Sequence, residues 1–138
     1  MTQQEVKELL LKDLCGRLPY NVKCNINKHR YGYHCSGNYN LELIEPNKLE
    51  EPFRVGNYYG AVWLNHEEIK PYLLPLSSMT EEEKEDYCQL QQKVIYNSKG
   101  LVTDDIMEYI NWCYKHHFDI NGLIPKGLAI DATNLNIY

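Results

Sequence analysis

The chain of 138 residues has no apolar run near the roughly 20 residues that a helix needs to span a bilayer. Acidic side chains interrupt the leucines of residues 1–14, which is untypical of a signal or transit peptide. There is also no excess of basic residues, since the net charge is −5 and the negative excess falls in residues 77–138. Proteins that bind duplex nucleic acid usually present a basic face. These absences predict no membrane segment and make nucleic-acid binding a disfavoured expectation.

Motifs for common catalytic and cofactor sites are also missing. The eight glycines form neither G-x-G-x-x-G nor a P-loop, and no Ser or Cys stands in a strand-turn-helix elbow that would expose a nucleophile. The five cysteines are odd in number and include no C-x-x-C pair, which predicts reduced thiols in a cytoplasm. The sequence therefore predicts a cytoplasmic, non-enzymatic protein with no cofactor, no catalytic residue and no bound metal.

Tyrosine is the residue that the chain has in excess, with twelve Tyr against two Phe. A tyrosine joins a large apolar face to a polar tip, which suits half-buried strands and also surfaces that contact other proteins. Exposed sheet edges are the simpler interpretation.

The first half predicts one helix followed by short strands. Thr2 and Glu5 form a capping box before a stripe of leucines, and Gly16 with Pro19 is expected to end that helix. From Tyr20 the apolar period changes to two, which indicates a half-buried strand. Turns are predicted at residues 36–38 and 56–57, and a helical turn at 65–70 precedes a last strand at 71–76.

The second half predicts a helical hairpin. Thr80 and Glu83 form another capping box, before a helix from about Glu81 to Tyr96 whose inner face includes Cys88. A second helix begins at Thr103, and residues 119–138 form an apolar tail that packs back. The whole chain is predicted to be a single compact α+β domain, residues 1–138. Its parts are a helix with a small antiparallel sheet or SH3-like barrel (1–76) and a helical half (77–138).

Cys24, His29, His34 and Cys35 supply the ligand types that zinc prefers. Their spacing does not match a zinc knuckle or finger, and adjacent residues of a strand point to opposite faces. A core position for the two cysteines is the favoured interpretation.

Lys28, Arg30, Tyr31 and Tyr33 belong to a basic cluster that alternates with aromatic rings. Phosphate contacts combined with stacking are how proteins hold nucleotides and single strands. These four residues are the candidate ligand site, and a polar hairpin tip is the competing interpretation.

His116, His117 and Asp119 could imitate a general base with an orienting carboxylate. Histidines in the last turn of a helix are also explained by the helix dipole, and Asp119 by capping of the next turn. The helical pattern turns His116 toward solvent and His117 toward the core, so catalysis is disfavoured.

Four segments together resemble a family of small uncharacterised proteins from gut Bacteroidota and their phages or mobile elements. They are IKPYLLPLSSMTEEEK (69–84), NW (111–112), HFD (117–119) and GLAIDATNLNIY (127–138). The resemblance covers residues 69–138 and implies a bacterial or phage accessory protein, with no activity or functional residue to carry over. The resulting functional prediction is an interaction protein that binds a protein partner. The alternative is nucleotide or single-stranded nucleic-acid binding through residues 28–34.

Overall fold

The computed structural model describes residues 1–30, 33–48, 50–96 and 103–138. An N-terminal helix precedes a six-stranded mixed sheet, and two further helices precede its last short strand, which confirms the α+β class. The helices are α1 (Gln3–Arg17), α2 (Glu81–Tyr96) and α3 (Thr103–Lys115). The strands are β1 (Lys23–Arg30), β2 (Tyr33–Ile44), β3 (Phe53–Asn57), β4 (Gly60–Leu64), β5 (Ile69–Leu73) and β6 (Ile130–Asp131).

Helix α1 begins at the predicted capping box. The Thr2 hydroxyl accepts from the Glu5 N–H at 3.1 Å, and the Glu5 carboxylate accepts from the Thr2 N–H at 2.6 Å. The prediction that Gly16 ends this helix is wrong, because α1 continues through Arg17. A Cβ atom at Gly16 would lie 2.3 Å from the Tyr114 ring, so this glycine permits α3 to approach α1 closely.

Strand β1 begins at Lys23, three residues later than the predicted start at Tyr20. Pro19 lies in a single 3-10 turn (Leu18–Tyr20), and Asn21 then adopts a left-handed conformation with φ 55°. The predicted alternation is confirmed from residue 22 onward, since Val22, Cys24 and Ile26 are all buried.

The predicted turn at residues 36–38 is wrong, because these residues lie inside β2. They pair antiparallel with β1, and Gly37 stands opposite Ile26. Gly37 does have a positive φ of 120°, but within the strand and not at a reversal. The glycine signal therefore identified a backbone conformation correctly and its structural setting incorrectly.

The second predicted turn is displaced by two residues. Gly56 and Asn57 complete β3, and the two-residue loop consists of Tyr58 and Tyr59. The Asn57 side chain accepts from the Tyr59 N–H at 2.8 Å, and Gly60 follows with φ 146°. The turn residues Asn and Gly thus flank the loop.

The order of strands in the sheet is β4-β3-β2-β1-β5-β6, antiparallel except for the β5–β6 pair. This linear order does not confirm the SH3-like barrel. Helix α1 packs its leucines against the sheet to form the apolar core. The core comprises Leu10, Leu14, Val22, Cys24, Ile26, Leu41, Phe53, Val55, Leu64, Ile69, Leu73, Leu123 and Ala129.

Helix α2 begins at the predicted capping box, where Thr80 and Glu83 exchange both hydrogen bonds. Its predicted inner face is partly wrong, since Cys88 is exposed and Leu90 is the buried residue. Helices α2 and α3 pack through their aromatic residues, with the Tyr87 and Tyr109 hydroxyls 2.9 Å apart.

The apolar tail is not confirmed as a unit. Leu123 and Ala129 enter the core, whereas Leu135 exposes about half of its surface. Within the described ranges, no helix is long and apolar enough to cross a membrane.

Candidate functional site

The predicted ligand site is described only in part. Lys28 lies on the buried face of β1, where its ammonium group donates to the Glu51 carboxylate and to the Trp63 carbonyl. Arg30 and Tyr33 face each other across β1 and β2 in the backbone register. Tyr31 lies outside the described residues. Ligand binding by these four residues stays a prediction, and the charge of Lys28 is already paired with Glu51.

A polar groove of about 620 Å³ lies beside Lys28. It runs between the start of α1 and the β4–β5 connection, where the His66 ring is 2.9 Å from the Gln3 side-chain oxygen. Its charged lining comprises Lys7, Lys28, His29, Glu50, Glu51, His66, Glu67 and Glu68. Four carboxylates among these groups disfavour a bound phosphate, because like charges repel at short range.

Cys24 and His29 lie on opposite faces of β1. Cys24 is buried in the core and His29 is exposed, as an odd spacing of five residues along a strand requires. Among the residues that the structure describes, no group of three or more His, Cys, Asp and Glu is placed to hold a metal ion.

The side chains of His116, His117 and Asp119 turn to three different surroundings. The His116 ring packs on Trp112 with centroids 4.6 Å apart, whereas the His117 ring stacks on Tyr138. The Asp119 carboxylate accepts two backbone N–H groups of the following turn, at 2.7 and 2.9 Å, as the capping interpretation predicts. The three groups therefore do not form a shared acid–base arrangement.

The sequence analysis missed a buried ion pair inside α1. Asp13 and Arg17 are both inaccessible to solvent, and the Arg17 guanidinium donates to the two Asp13 oxygens at 2.7 and 3.0 Å. Asn121 donates to Asp13 at 2.8 Å, and Arg17 also donates to the Phe118 carbonyl at 2.7 Å. The pair thus ties α1 to the segment after α3. An i, i+4 acid–base spacing was its only signal, and that spacing is usually found on exposed faces.

Arg17 lies at the centre of a wider polar cluster. Its guanidinium stands 4.8 Å above the centroid of the Tyr114 ring, and its Nη1 atom is buried without a hydrogen-bond partner in the described structure. The thiol of Cys24 lies near this ion pair, and burial followed by the Asp13 charge raises its pKa. A raised pKa keeps this thiol protonated and poor as a nucleophile.

The most exposed aromatic residues of the described chain lie at the tip of the β3–β4 hairpin. Tyr58 exposes 96% and Tyr59 91% of its surface, and their rings meet edge to face with centroids 5.4 Å apart. Contiguous exposed apolar surface, unlike a single exposed residue, often marks an interaction site. The loop itself is held by the Asn57 side chain.

The outer face of the same hairpin carries the Trp63 ring and Arg54, and Lys48 from the preceding segment packs on the ring. The Lys48 ammonium lies 3.6 Å from the Trp63 ring centroid, and Arg54 stands opposite Trp63 in the register. Glu42, at an irregularity in β2, approaches Arg54 with 3.7 Å between Nε and Oε2. Its carboxylate occupies the space that a side chain at Gly56 would need. We call Arg54, Tyr58, Tyr59 and Trp63 the hairpin patch.

The sequence indicated a surface role for the tyrosines in general but did not identify the hairpin patch. Assigning the turn to Gly56 and Asn57 placed Tyr58 within a strand. A search for the two-residue loop between Asn57 and Gly60 would have found the tip. Searches against protein-family models, curated proteins and solved structures found no match to this chain.

Proposed function

We propose that this chain is a non-enzymatic accessory protein of a bacterium, phage or mobile element that acts in the cytoplasm by binding a protein partner through the hairpin patch. The observation that carries the proposal is the nearly complete exposure of two adjacent tyrosine rings, Tyr58 and Tyr59, on a loop fixed at both ends. Tyr, Trp and Arg are the residues that most often dominate binding energy at protein interfaces.

A partner would gain most by covering these rings. Burying apolar surface stabilises an interface by about 25 cal/mol per Å², and a tyrosine offers about 150–250 Å² together with a hydroxyl that can pair at the rim. A tyrosine side chain has few rotatable bonds, so ordering it costs less entropy than ordering a long flexible side chain. The edge-to-face contact between Tyr58 and Tyr59 limits their freedom further before binding.

A side-chain contact from β1 also stabilises the hairpin. Lys28 on β1 donates to the Trp63 carbonyl on β4, although β2 and β3 separate these two strands in the sheet. We propose that the sheet curls in the manner of an SH3-like barrel, because only a strongly bent sheet brings β1 and β4 this close. A bent, cross-linked sheet would hold the hairpin patch in one orientation, which reduces the ordering cost of binding.

Charge distribution supplies a second, weaker contribution. The net charge of −5 resides in residues 77–138, where Glu81, Glu82 and Glu83 begin α2. An acidic helical half and a neutral strand half would orient an approaching partner, mainly by changing the association rate.

The experiment compares tagged wild type with a Tyr58→Ala/Tyr59→Ala variant. Affinity purification from the native host identifies the partner, and calorimetric titration with that purified partner gives both affinities. We expect at least about a tenfold loss of affinity for the variant with an unchanged melting temperature, because the rings contact nothing in the core.

Met107→Ala is the matched control, since Met107 is a half-exposed apolar residue on α3. Its affinity should equal that of the wild type. Recovery of the chain alone in repeated purifications, or equal affinity of the double variant, would overturn the proposal.

The second candidate remains nucleotide or single-stranded nucleic-acid binding by residues 28–34. The observation in its favour is that Lys28 and His29 line the polar groove of about 620 Å³, and the engagement of Lys28 by Glu51 opposes it. Fluorescence titration with nucleotides and short oligonucleotides at low salt tests it. A saturable signal that Arg30→Ala abolishes would support it, and a flat response would exclude it.

A further inference from the structure

His117 occupies a backbone position that normally belongs to glycine or asparagine. Helix α3 ends in a Schellman motif, in which the Phe118 N–H donates to the Cys113 carbonyl at 2.9 Å and the His117 N–H to the Tyr114 carbonyl at 3.0 Å. His117 is the left-handed residue of this motif, with φ 64°. A non-glycine residue there is strained, and such strain recurs at functional positions.

The imidazole of His117 is packed against an aromatic ring and, among the described residues, has one buried, unpaired nitrogen. Its ring stacks on the Tyr138 ring with centroids 3.5 Å apart and an angle of 9°, and its Nδ1 atom is buried without a hydrogen-bond partner in the described structure. Arg17 from α1, Lys23 from β1 and His116 from the end of α3 are the charged or titratable groups that act on it. The Asp13 carboxylate is bonded to Arg17 and Asn121 rather than to His117.

Residues 133–138, which we call the strap, are joined to β1 and β5 through Ile137 and, mainly, Tyr138. The Tyr138 hydroxyl donates to the Tyr72 carbonyl at 2.8 Å and accepts from the Lys23 N–H at 2.9 Å. The Lys23 ammonium donates to the Ile137 carbonyl at 2.9 Å. The other residues of the strap are mostly exposed, so few apolar contacts oppose its release.

We propose that His117 and the strap form an acid-sensitive latch, in which the strap is closed over neutral His117 and is released when His117 becomes protonated. Protonation would place a second cation beside Arg17 and a proton on Nδ1 that has no acceptor. The Tyr138 ring would attract the imidazolium from its face, but it cannot accept that in-plane proton. Opening the strap lets water accept a hydrogen bond from this proton and screen the neighbouring charges.

The sign of the effect follows from the same surroundings. Burial, and then the charges of Arg17, His116 and Lys23, lower the pKa of His117 from 6.5 to about 4 while the strap is closed. With the strap open, the imidazole meets water and its pKa returns toward 6.5. Closure is therefore fully favoured above pH 6.5 and weakens as the pH falls from 6.5 toward 4.

Two-dimensional NMR between pH 7.5 and 4 tests the latch. The Lys23 amide reports the bond to Tyr138, and the amides of residues 133–138 report the strap. We expect these signals to move together to random-coil positions with a midpoint between pH 4 and 6.5, while amides of α1 and β1–β3 other than Lys23 keep their folded positions. Loss of all folded signals in one step would overturn a local latch.

His117→Asn is the decisive variant, because asparagine tolerates the left-handed conformation but does not titrate in this range. We expect its strap to stay closed down to pH 4. His66→Asn, in the groove beside Gln3, removes a distant histidine and should leave the wild-type midpoint unchanged. Tyr138→Leu should open the strap already at pH 7.5. An unchanged strap in the wild type across the range, or the same midpoint in His117→Asn, would overturn the proposal.

Discussion

The roles of Gly16 and Arg17 in α1 are set by contacts with residues of other elements. Gly16 lies within α1, and its hydrogen atom faces the Tyr114 ring of α3. The neighbouring Arg17 is fully buried, and its charge is balanced by Asp13 and by the Phe118 carbonyl. Burying such an ion pair carries a desolvation cost. Removing one partner destabilises the fold further, because it leaves the other charge buried without compensation.

The first prediction concerns Gly16→Ala. Alanine in an exposed helix interior stabilises by about 0.5–1 kcal/mol relative to glycine, but here the new Cβ would overlap Tyr114. We expect the free energy of unfolding to fall by about 1–3 kcal/mol in urea denaturation. The same substitution in a Tyr114→Leu background should cost less, because the ring that clashes is gone. An increase in stability for the single variant would contradict this packing.

The two longest helices begin with the same capping motif but are packed to different extents. Both α1 and α2 begin at a Thr-x-x-Glu capping box with both hydrogen bonds formed. Helix α1 buries Leu10 and Leu14 completely in the core, whereas α2 buries only Leu90 among its described side chains. The cap therefore supports a core element in one case and a mostly exposed helix in the other.

The second prediction compares Thr80→Ala with Thr2→Ala. Loss of either cap costs about 0.5–2 kcal/mol. For Thr80→Ala we expect faster hydrogen exchange confined to α2, because this helix can fray without opening the core. For Thr2→Ala we expect a lower free energy of global unfolding, because α1 completes the core. Equal exchange patterns for the two variants would show that α2 is more firmly packed than its exposure indicates.

At the scale of the whole molecule, the described thiols divide into two classes. Cys15 and Cys88 are exposed, and Cys24 and Cys113 are buried. Burial raises the pKa of Cys24, and it raises the pKa of Cys113 to about 11. Both effects suppress the thiolate that reacts with disulfide reagents.

The third prediction uses this division to follow unfolding. In a Cys35→Ser variant treated with a disulfide reagent at pH 8, two thiols should react rapidly. The other two should react at least about 100-fold more slowly, because they must wait for unfolding in a marginally stable protein. Urea should abolish the difference near its denaturation midpoint. Four equal rates in native buffer would contradict the burial of Cys24 and Cys113.

The sequence by itself determined the features that depend on neighbouring residues. Both capping boxes, the bounds of α2 and the alternating burial of Val22, Cys24 and Ile26 follow from contacts within a few positions along the chain. Such local patterns also sufficed for the α+β class, because the apolar period changes with the type of element.

Only the tertiary structure decided the roles of particular glycines and of the buried charge. Gly16 is a packing residue because α3 approaches α1 there. Gly37 lies within β2, where it pairs with Ile26 of β1, and not at a turn. Arg17 can be buried because the Phe118 carbonyl, 101 positions away, accepts a hydrogen bond from its guanidinium. The stack of His117 on Tyr138 likewise joins residues from separate elements. No local sequence pattern predicts these contacts, since each depends on which surfaces the fold brings together.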